Sequence, residues 1–220
     1  RASYDSALPL FRAIGSRLGE ANCLWSLGDL ALRESDLSGA RASYDSALPL
    51  FRAIGERLGE ANCLQTLALI EEDSEQSIHL FRGALEIQRD ISNQLGELAA
   101  LGYLARRLFQ DRSFPEALKA TEQSLAIACR INEVFGASIV LGTQTDILQT
   151  VNEEEAAVAA AVLRDVAEIT SHAPDWQDAE QRIASLREQV GADHWEAHLA
   201  ACEKVRAAAV ARLTAGVPDF

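Results

Sequence analysis

The sequence contains no methionine, only five prolines and few aromatic residues, and β-branched residues rarely cluster in it. Ala, Leu, Glu, Arg and Gln dominate instead, which is the composition of helices rather than of sheets. With 220 residues, of which 48% are hydrophobic, the chain is long enough to bury a core. These features predict an all-α protein.

The chain also lacks long apolar runs and clusters of basic residues. No stretch approaches the roughly eighteen apolar residues of a membrane span, and no charged-then-apolar segment opens the chain as a signal peptide would. The formal net charge is −13 and the basic residues are scattered among acids, which argues against DNA or RNA as a partner. We therefore expect a soluble, cytoplasmic protein with no nucleic-acid or membrane partner.

Motifs of catalysis and cofactor binding are missing as well. The four cysteines show no C-x-x-C spacing and lie beside apolar residues in helical patterns, which is typical of buried free thiols. No G-x-x-x-x-G-K-[ST], G-x-G-x-x-G or G-x-S-x-G segment occurs. His194 and His198 share one face of a predicted helix, but Glu196 points away from them and no third ligand is evident. We predict no enzyme activity, no metal and no cofactor.

What the sequence does contain is a long internal repeat. Residues 1–24 recur as residues 41–64 with one change, Ser16 to Glu56. The segment GEANCL at 19–24 and 59–64 becomes GELAAL at 96–101 and GASIVL at 136–141, so the spacings are 40, 37 and 40 residues. We attribute the shorter spacing to a shortened loop near Asp73.

Each repeat carries two apolar stripes at helical spacing, for example Leu24 and Leu27 on one helix and Tyr44 and Phe51 on the next. Gly15 and Gly55 follow apolar runs, where a left-handed residue would end a helix. A hairpin this small cannot bury its apolar face alone, so we expect neighbouring hairpins to stack. The predicted boundaries are a half repeat at 1–18, repeats at 19–58, 59–95, 96–135 and 136–172, and a C-terminal helical cap at 173–220.

Small and large packing residues recur in register across the copies. They are Leu24, Leu27, Gly28, Ala40, Tyr44 and Ala47 in one copy and Leu64, Leu67, Ala68, Phe81 and Ala84 in the next. This pattern resembles the tetratricopeptide repeat, in the longer form found in bacterial and kinesin-light-chain-like members. The later copies depart from it at Thr121, Ser124, Gln144 and Thr145, where the family has apolar, aromatic or small residues. The resemblance implies a right-handed α-α superhelical solenoid with C-terminal capping helices.

In that family the first helix of each repeat lines a concave groove that binds a peptide or a partner domain. Carried over position by position, the resemblance assigns these candidate groove contacts: Asn22, Trp25, Asp29, Arg33, Asn62, Gln65, Leu69, Arg106, Phe109 and Asp146. Amides beside a Trp or Phe are typical ingredients of a peptide-binding hot spot. The alternative for each residue is a solvated position, and Trp25 is alternatively a core residue.

These features lead to two hypotheses about function. The first is a protein-protein interaction scaffold that binds a peptide or partner protein in the groove. The second is the sensor or autoinhibitory end of a larger signalling ATPase or protease, because Val190, Gly191, Trp195 and Glu196 are similar to the tail of some repeat sensors. Since the chain opens within a repeat, we expect further sequence upstream and an exposed N-terminal repeat face through which copies could self-associate.

Overall fold

The computed structural model describes residues 2–171 and 192–217. The elements in these ranges are α1 (Ala2–Ala13), α2 (Arg17–Arg33), α3 (Leu37–Ile54), α4 (Arg57–Leu69), α5 (Ser74–Asp90), α6 (Gln94–Gln110), α7 (Phe114–Ile131), α8 (Val134–Thr150), α9 (Glu154–Ser171) and α10 (Ala192–Leu213). The prediction of an all-α protein is confirmed for this part of the chain. The cap predicted at 173–220 lies partly outside the described residues.

The helices fall into two compact units, Arg1–Asn93 with α1–α5 and Gln94–Phe220 with α6–α10. Within each unit, every described helix packs against the next described helix along the chain. In the second unit α6 also contacts α8, and α10 contacts α7 as well as α9. Up to α9, consecutive helices of one unit are joined by only two to four residues, a length typical of helical hairpins.

Helix ends are set by residues that the repeat carries at fixed positions. Gly15 and Gly55 adopt left-handed conformations with φ of 70° and 71°, which confirms their prediction as helix-ending residues. Ser16 and Glu56 follow them as N-caps, and each side chain accepts a hydrogen bond from the N–H three residues later. The one difference between the two 24-residue copies therefore preserves the cap.

Close approach between consecutive helices requires glycine at several positions of the first unit. A Cβ atom added to Gly19 would lie 2.2 Å from the ring of Phe11, and one added to Gly59 would lie 2.5 Å from the ring of Phe51. Gly28, in the middle of α2, would place a Cβ atom 2.6 Å from the ring of Tyr44. Small residues opposite aromatic rings thus set the separation of these helices.

The short spacing between repeats arises in a helix rather than in a loop. α4 has 13 residues where α2 has 17, while the connection after α4 (70–73) is longer than the one after α2 (34–36). The prediction of a shortened loop near Asp73 is therefore wrong. Asp73 caps α5 by accepting the N–H of Gln76 at 2.7 Å, and its own N–H donates to the Glu71 side chain at 3.2 Å. Because these bonds hold 71–73 in a turn, α4 ends about one helical turn earlier than α2 does.

Polar residues at positions that the repeat pattern normally fills with apolar or small ones form a buried network in the second unit. The Gln144 Nε2 donates to Thr121 Oγ1 at 3.1 Å and to Glu122 Oε1 at 3.0 Å. Arg206 of α10 is buried, forms an ion pair with Glu122 and donates to Gln144 Oε1 at 3.3 Å. A buried polar group is tolerated when it is hydrogen-bonded, so these residues fit the core by joining α7, α8 and α10.

Identical sequences in α1 and α3 meet different surroundings, since residues 1–14 recur as 41–54. Tyr44 is fully buried and its hydroxyl donates to Asp29 Oδ1 at 2.6 Å, whereas Tyr4 is 38% exposed. The reason is that α3 packs against both α2 and α4, whereas the main neighbour of α1 among the described helices is α2. Self-association through the open face of α1 stays a prediction.

Tyr44 and Tyr4 therefore form a matched pair for measuring the contribution of burial to stability. We expect Tyr44→Ala to lower the free energy of unfolding by about 3–5 kcal/mol, because it removes a buried ring and the donor to Asp29. Tyr4→Ala should cost less than about 1 kcal/mol, because that ring already meets solvent. Urea denaturation followed by circular dichroism measures both losses, and equal values would contradict the assigned environments.

Candidate functional site

The first helix of each hairpin carries the residues that the resemblance assigns to a groove. These helices are α2 and α4 in the first unit and α6 and α8 in the second. One equivalent position on them is occupied in turn by Trp25, Gln65, Gly102 and Gly142. The same place in the repeat therefore carries side chains of very different volume, and each unit has a cavity between its two first helices.

In the first unit a cavity of about 330 Å³ lies between α2 and α4. Asn22, Trp25 and Asn62, three of the predicted groove residues, line it together with the exposed apolar side chains of Leu18 and Leu58. An amide side chain can both donate to and accept from a peptide backbone. The structure thus brings together two such amides and an apolar wall.

Trp25 belongs to the packing of the first unit as well as to the cavity wall. Its half-buried indole packs against one cluster of buried residues that contains Cys63 and another that contains Tyr44 and Leu67. The indole Nε1 is buried and has no hydrogen-bond acceptor among the described residues. A contact between Trp25 and a ligand stays a prediction, because the packing role alone accounts for most of its surroundings.

The other predicted residues of the first unit are not gathered at this cavity. Asp29 accepts a hydrogen bond from the Tyr44 hydroxyl, so its carboxylate is engaged by the core. The Oε1 atom of Gln65 is buried, and no group in residues 2–171 and 192–217 donates a hydrogen bond to it. Arg33 and Leu69 are exposed and do not line the cavity between α2 and α4.

In the second unit an apolar cavity of about 320 Å³ lies between α6 and α8. Large exposed side chains line it: Leu95 at 59%, Tyr103 at 36%, Phe135 at 55% and Ile139 at 44% exposure. The buried residues Leu98 and Val140 line it too. A Cβ atom added to Gly102 would meet one atom within 4 Å, Val140 Cγ2 at 3.9 Å. Space is therefore open at the position where the first unit has an indole.

A second cavity of about 470 Å³ shares Arg106 and Ile139 with the apolar one. Phe109 and Asp146 also line it, so the three groove residues predicted in this unit lie together. The Phe109 ring packs against Phe114 with a centroid distance of 5.9 Å. The Arg106 side chain is exposed, and within the described residues it has no hydrogen-bond or ion-pair partner. Apolar and charged groups therefore meet along one surface of the second unit.

Leu95, Tyr103 and Phe135 are not among the predicted groove residues, although the repeat pattern contains a signal for two of them. Leu18, Leu58, Leu95 and Phe135 occupy equivalent positions in the four repeats, and each is large and apolar. All four are exposed in the structure. The repeat thus keeps an apolar side chain at a position that the core does not use, which favours a surface role.

Other kinds of site find little support in the residues that the structure describes. Among them, no three His, Cys, Asp or Glu side chains are placed to hold a metal ion, and no helix has the length and apolar composition needed to cross a membrane. The side chains of His194 and His198 lie outside the described residues. All four cysteines are free. The prediction of buried thiols is confirmed for Cys23, Cys63 and Cys202 and is wrong for Cys129, which is exposed.

Comparison with protein-family models and with curated protein sequences finds no match to this chain. The geometry and chemistry of the two first-helix surfaces are therefore the basis on which a function can be assigned.

Two mid-helix glycines, Gly28 and Gly102, should respond in opposite directions to the same substitution. Gly102→Ala should raise the free energy of unfolding by about 0.5–1 kcal/mol, because alanine favours the helix and the added methyl group enters open space. Gly28→Ala should lower it by about 1–2 kcal/mol, because the methyl group collides with the buried ring of Tyr44. Thermal and urea denaturation of the two variants measure the difference, and a shared sign would contradict the packing described.

Burial, and to a lesser extent the charge of Asp29, raises the pKa of the Cys63 thiol to about 12. The unfolded chain then loses this proton near pH 9, whereas the folded chain keeps it, so the contribution to stability is complete below pH 9 and declines as pH rises towards 12. Between pH 8 and pH 10 we expect native stability to fall by about 1 kcal/mol more than that of Cys63→Ala. The exposed Cys129→Ala variant is the control, and a decline unchanged in Cys63→Ala would refute the assignment.

Proposed function

We propose that this chain is a non-enzymatic protein-interaction module whose first helices bind a peptide or an exposed segment of a partner protein. The proposal includes the right-handed solenoid of tetratricopeptide-like hairpins that the repeat pattern implies. The observation that carries it is the group of exposed apolar side chains around the cavity between α6 and α8: Leu95, Tyr103, Phe135 and Ile139.

Exposing these side chains has a free-energy cost that a ligand would remove. Moving one large apolar side chain from water to a fully buried site is favourable by about 1.5–3 kcal/mol of free energy. These four are already partly covered, so their contribution in a complex is smaller, yet together it is enough to support specific binding. Contiguous apolar surface of this kind on a folded chain is a common mark of an interaction site.

The charged groups beside the apolar cavity favour a protein ligand. Arg106 borders both cavities of the second unit and Asp146 borders the second one. Aromatic side chains at the centre and charged groups at the edge are the usual arrangement of a protein interface. The net charge of −13 opposes long-range attraction to nucleic acid. A cytoplasmic location stays a prediction from composition.

The test is selection of random peptides displayed on phage against the immobilised chain, followed by affinity measurement on variants. We expect Phe135→Ser to weaken the selected peptides by about tenfold or more, which corresponds to about 1.4 kcal/mol, without lowering the melting temperature. Leu10→Ser changes an exposed apolar residue of α1, which is not one of the first helices and lines neither cavity, and serves as the control. The proposal fails if no peptide is enriched, or if the two variants have the same small effect on every selected peptide.

A further inference from the structure

Gly102 and Trp25 occupy equivalent positions in the two units, which makes the first unit a guide to what fits the second. The spacing between Trp25 and Gly102 is the same as that between Cys63 and Val140. In the first unit the indole packs against the cluster containing Cys63. In the second unit Val140 lines the open cavity, and its Cγ2 atom is the one that a side chain at Gly102 would first meet.

We propose that an aromatic side chain of the ligand, of the size of an indole, occupies the space over Gly102, and that a carboxylate next to it in the ligand pairs with Arg106. This inference rests on the proposed function and specifies its ligand. The ligand's aromatic ring occupies in the second unit the place that the Trp25 indole occupies in the first.

The lining of the cavity suits an aromatic ring. The exposed rings of Tyr103 and Phe135 and the aliphatic side chain of Leu95 provide apolar contacts at its edge. Aromatic pairs gain from offset or edge-to-face geometry in addition to the area that they bury. A cavity of about 320 Å³ is at the lower end of the range seen for small-molecule sites, which matches one bulky side chain.

Arg106 provides the complementary charge. Its exposed guanidinium lines both the apolar cavity and the adjoining one, and it has no ion-pair partner among the described residues. The other charged group of the apolar cavity, Glu133, accepts a hydrogen bond from the Gly136 N–H at 3.2 Å as the N-cap of α8. A planar guanidinium binds a carboxylate through two parallel hydrogen bonds, so a carboxylate is the group that fits the unpaired Arg106.

The first experiment uses N-acetyl-Trp-Asp-amide as the probe, titrated into the ¹⁵N-labelled chain. We expect saturable shifts of the Gly102, Gly136 and Ile139 amides with a dissociation constant on the order of 0.1–1 mM. Gly102→Trp should weaken this binding at least tenfold, because the chain then fills the space itself. N-acetyl-Ala-Asp-amide should bind more than tenfold more weakly than the probe. An unchanged affinity for Gly102→Trp that retains the native melting temperature would overturn the proposal.

The role of the charge is tested separately. Arg106→Gln should reduce the preference for N-acetyl-Trp-Asp-amide over N-acetyl-Trp-Lys-amide about fivefold or more, while Arg130→Gln, an exposed arginine of α7 in the same unit, should leave it unchanged. In the converse variant, Trp25→Gly, added indole should raise the melting temperature, because it refills the space vacated in the first unit. Equal preferences in the two arginine variants, or no effect of indole, would count against the inference.

Failure of this inference can be distinguished from failure of the proposed function by the displayed peptides. Enriched sequences that contain an aromatic residue beside Asp or Glu, and that lose affinity in Gly102→Trp, support both. Enriched sequences without an aromatic residue, which still lose affinity in Phe135→Ser, overturn the inference and leave the function in place. The absence of any enriched sequence overturns both.

Discussion

Contact between a small residue on one helix and a bulky side chain on the neighbouring helix is the constraint on which the first unit depends. Gly28 lets the ring of Tyr44 approach α2, and Gly19 and Gly59 do the same for Phe11 and Phe51. The tyrosine hydroxyl then reaches Asp29, which ties the two helices together by a hydrogen bond. Because packed interiors leave little free volume, these contacts fix the separation of the helices and with it the width available between successive first helices.

At one position of the first helices, the size of the side chain varies from copy to copy. The position of Trp25 changes to Gln65, Gly102 and Gly142 along the chain, and the cavity beside it changes with the side chain. The first unit fills part of its surface with its own indole, whereas the second leaves an apolar cavity next to Arg106, which has no ion-pair partner in the part of the chain that the structure describes. The same position of the repeat therefore carries side chains of very different volume, and the surface beside it differs between the two units.

Sequence predicts structure best where a residue type has one dominant physical use. Gly15 and Gly55 ended their helices as expected, because left-handed conformations disfavour other residues. The candidate site residues stay a prediction. Arg106, Phe109 and Asp146 line one cavity, the Asp29 carboxylate accepts a hydrogen bond from Tyr44, and Phe135, which lines the apolar cavity, was not among the predicted residues. Helical periodicity identifies a face of a helix, but it does not show which neighbour covers that face.

By itself the sequence determined the all-α character of the described residues, the period of the repeat and the helix ends at Gly15 and Gly55, since each follows from local conformational preference and apolar spacing. Only the tertiary structure decided that identical helices bury Tyr44 and expose Tyr4, that Gln144 and Thr121 join Arg206 in a network, and that Gly102 leaves a cavity. These outcomes depend on which elements pack against each residue, and burial is a property of that packing rather than of the residue.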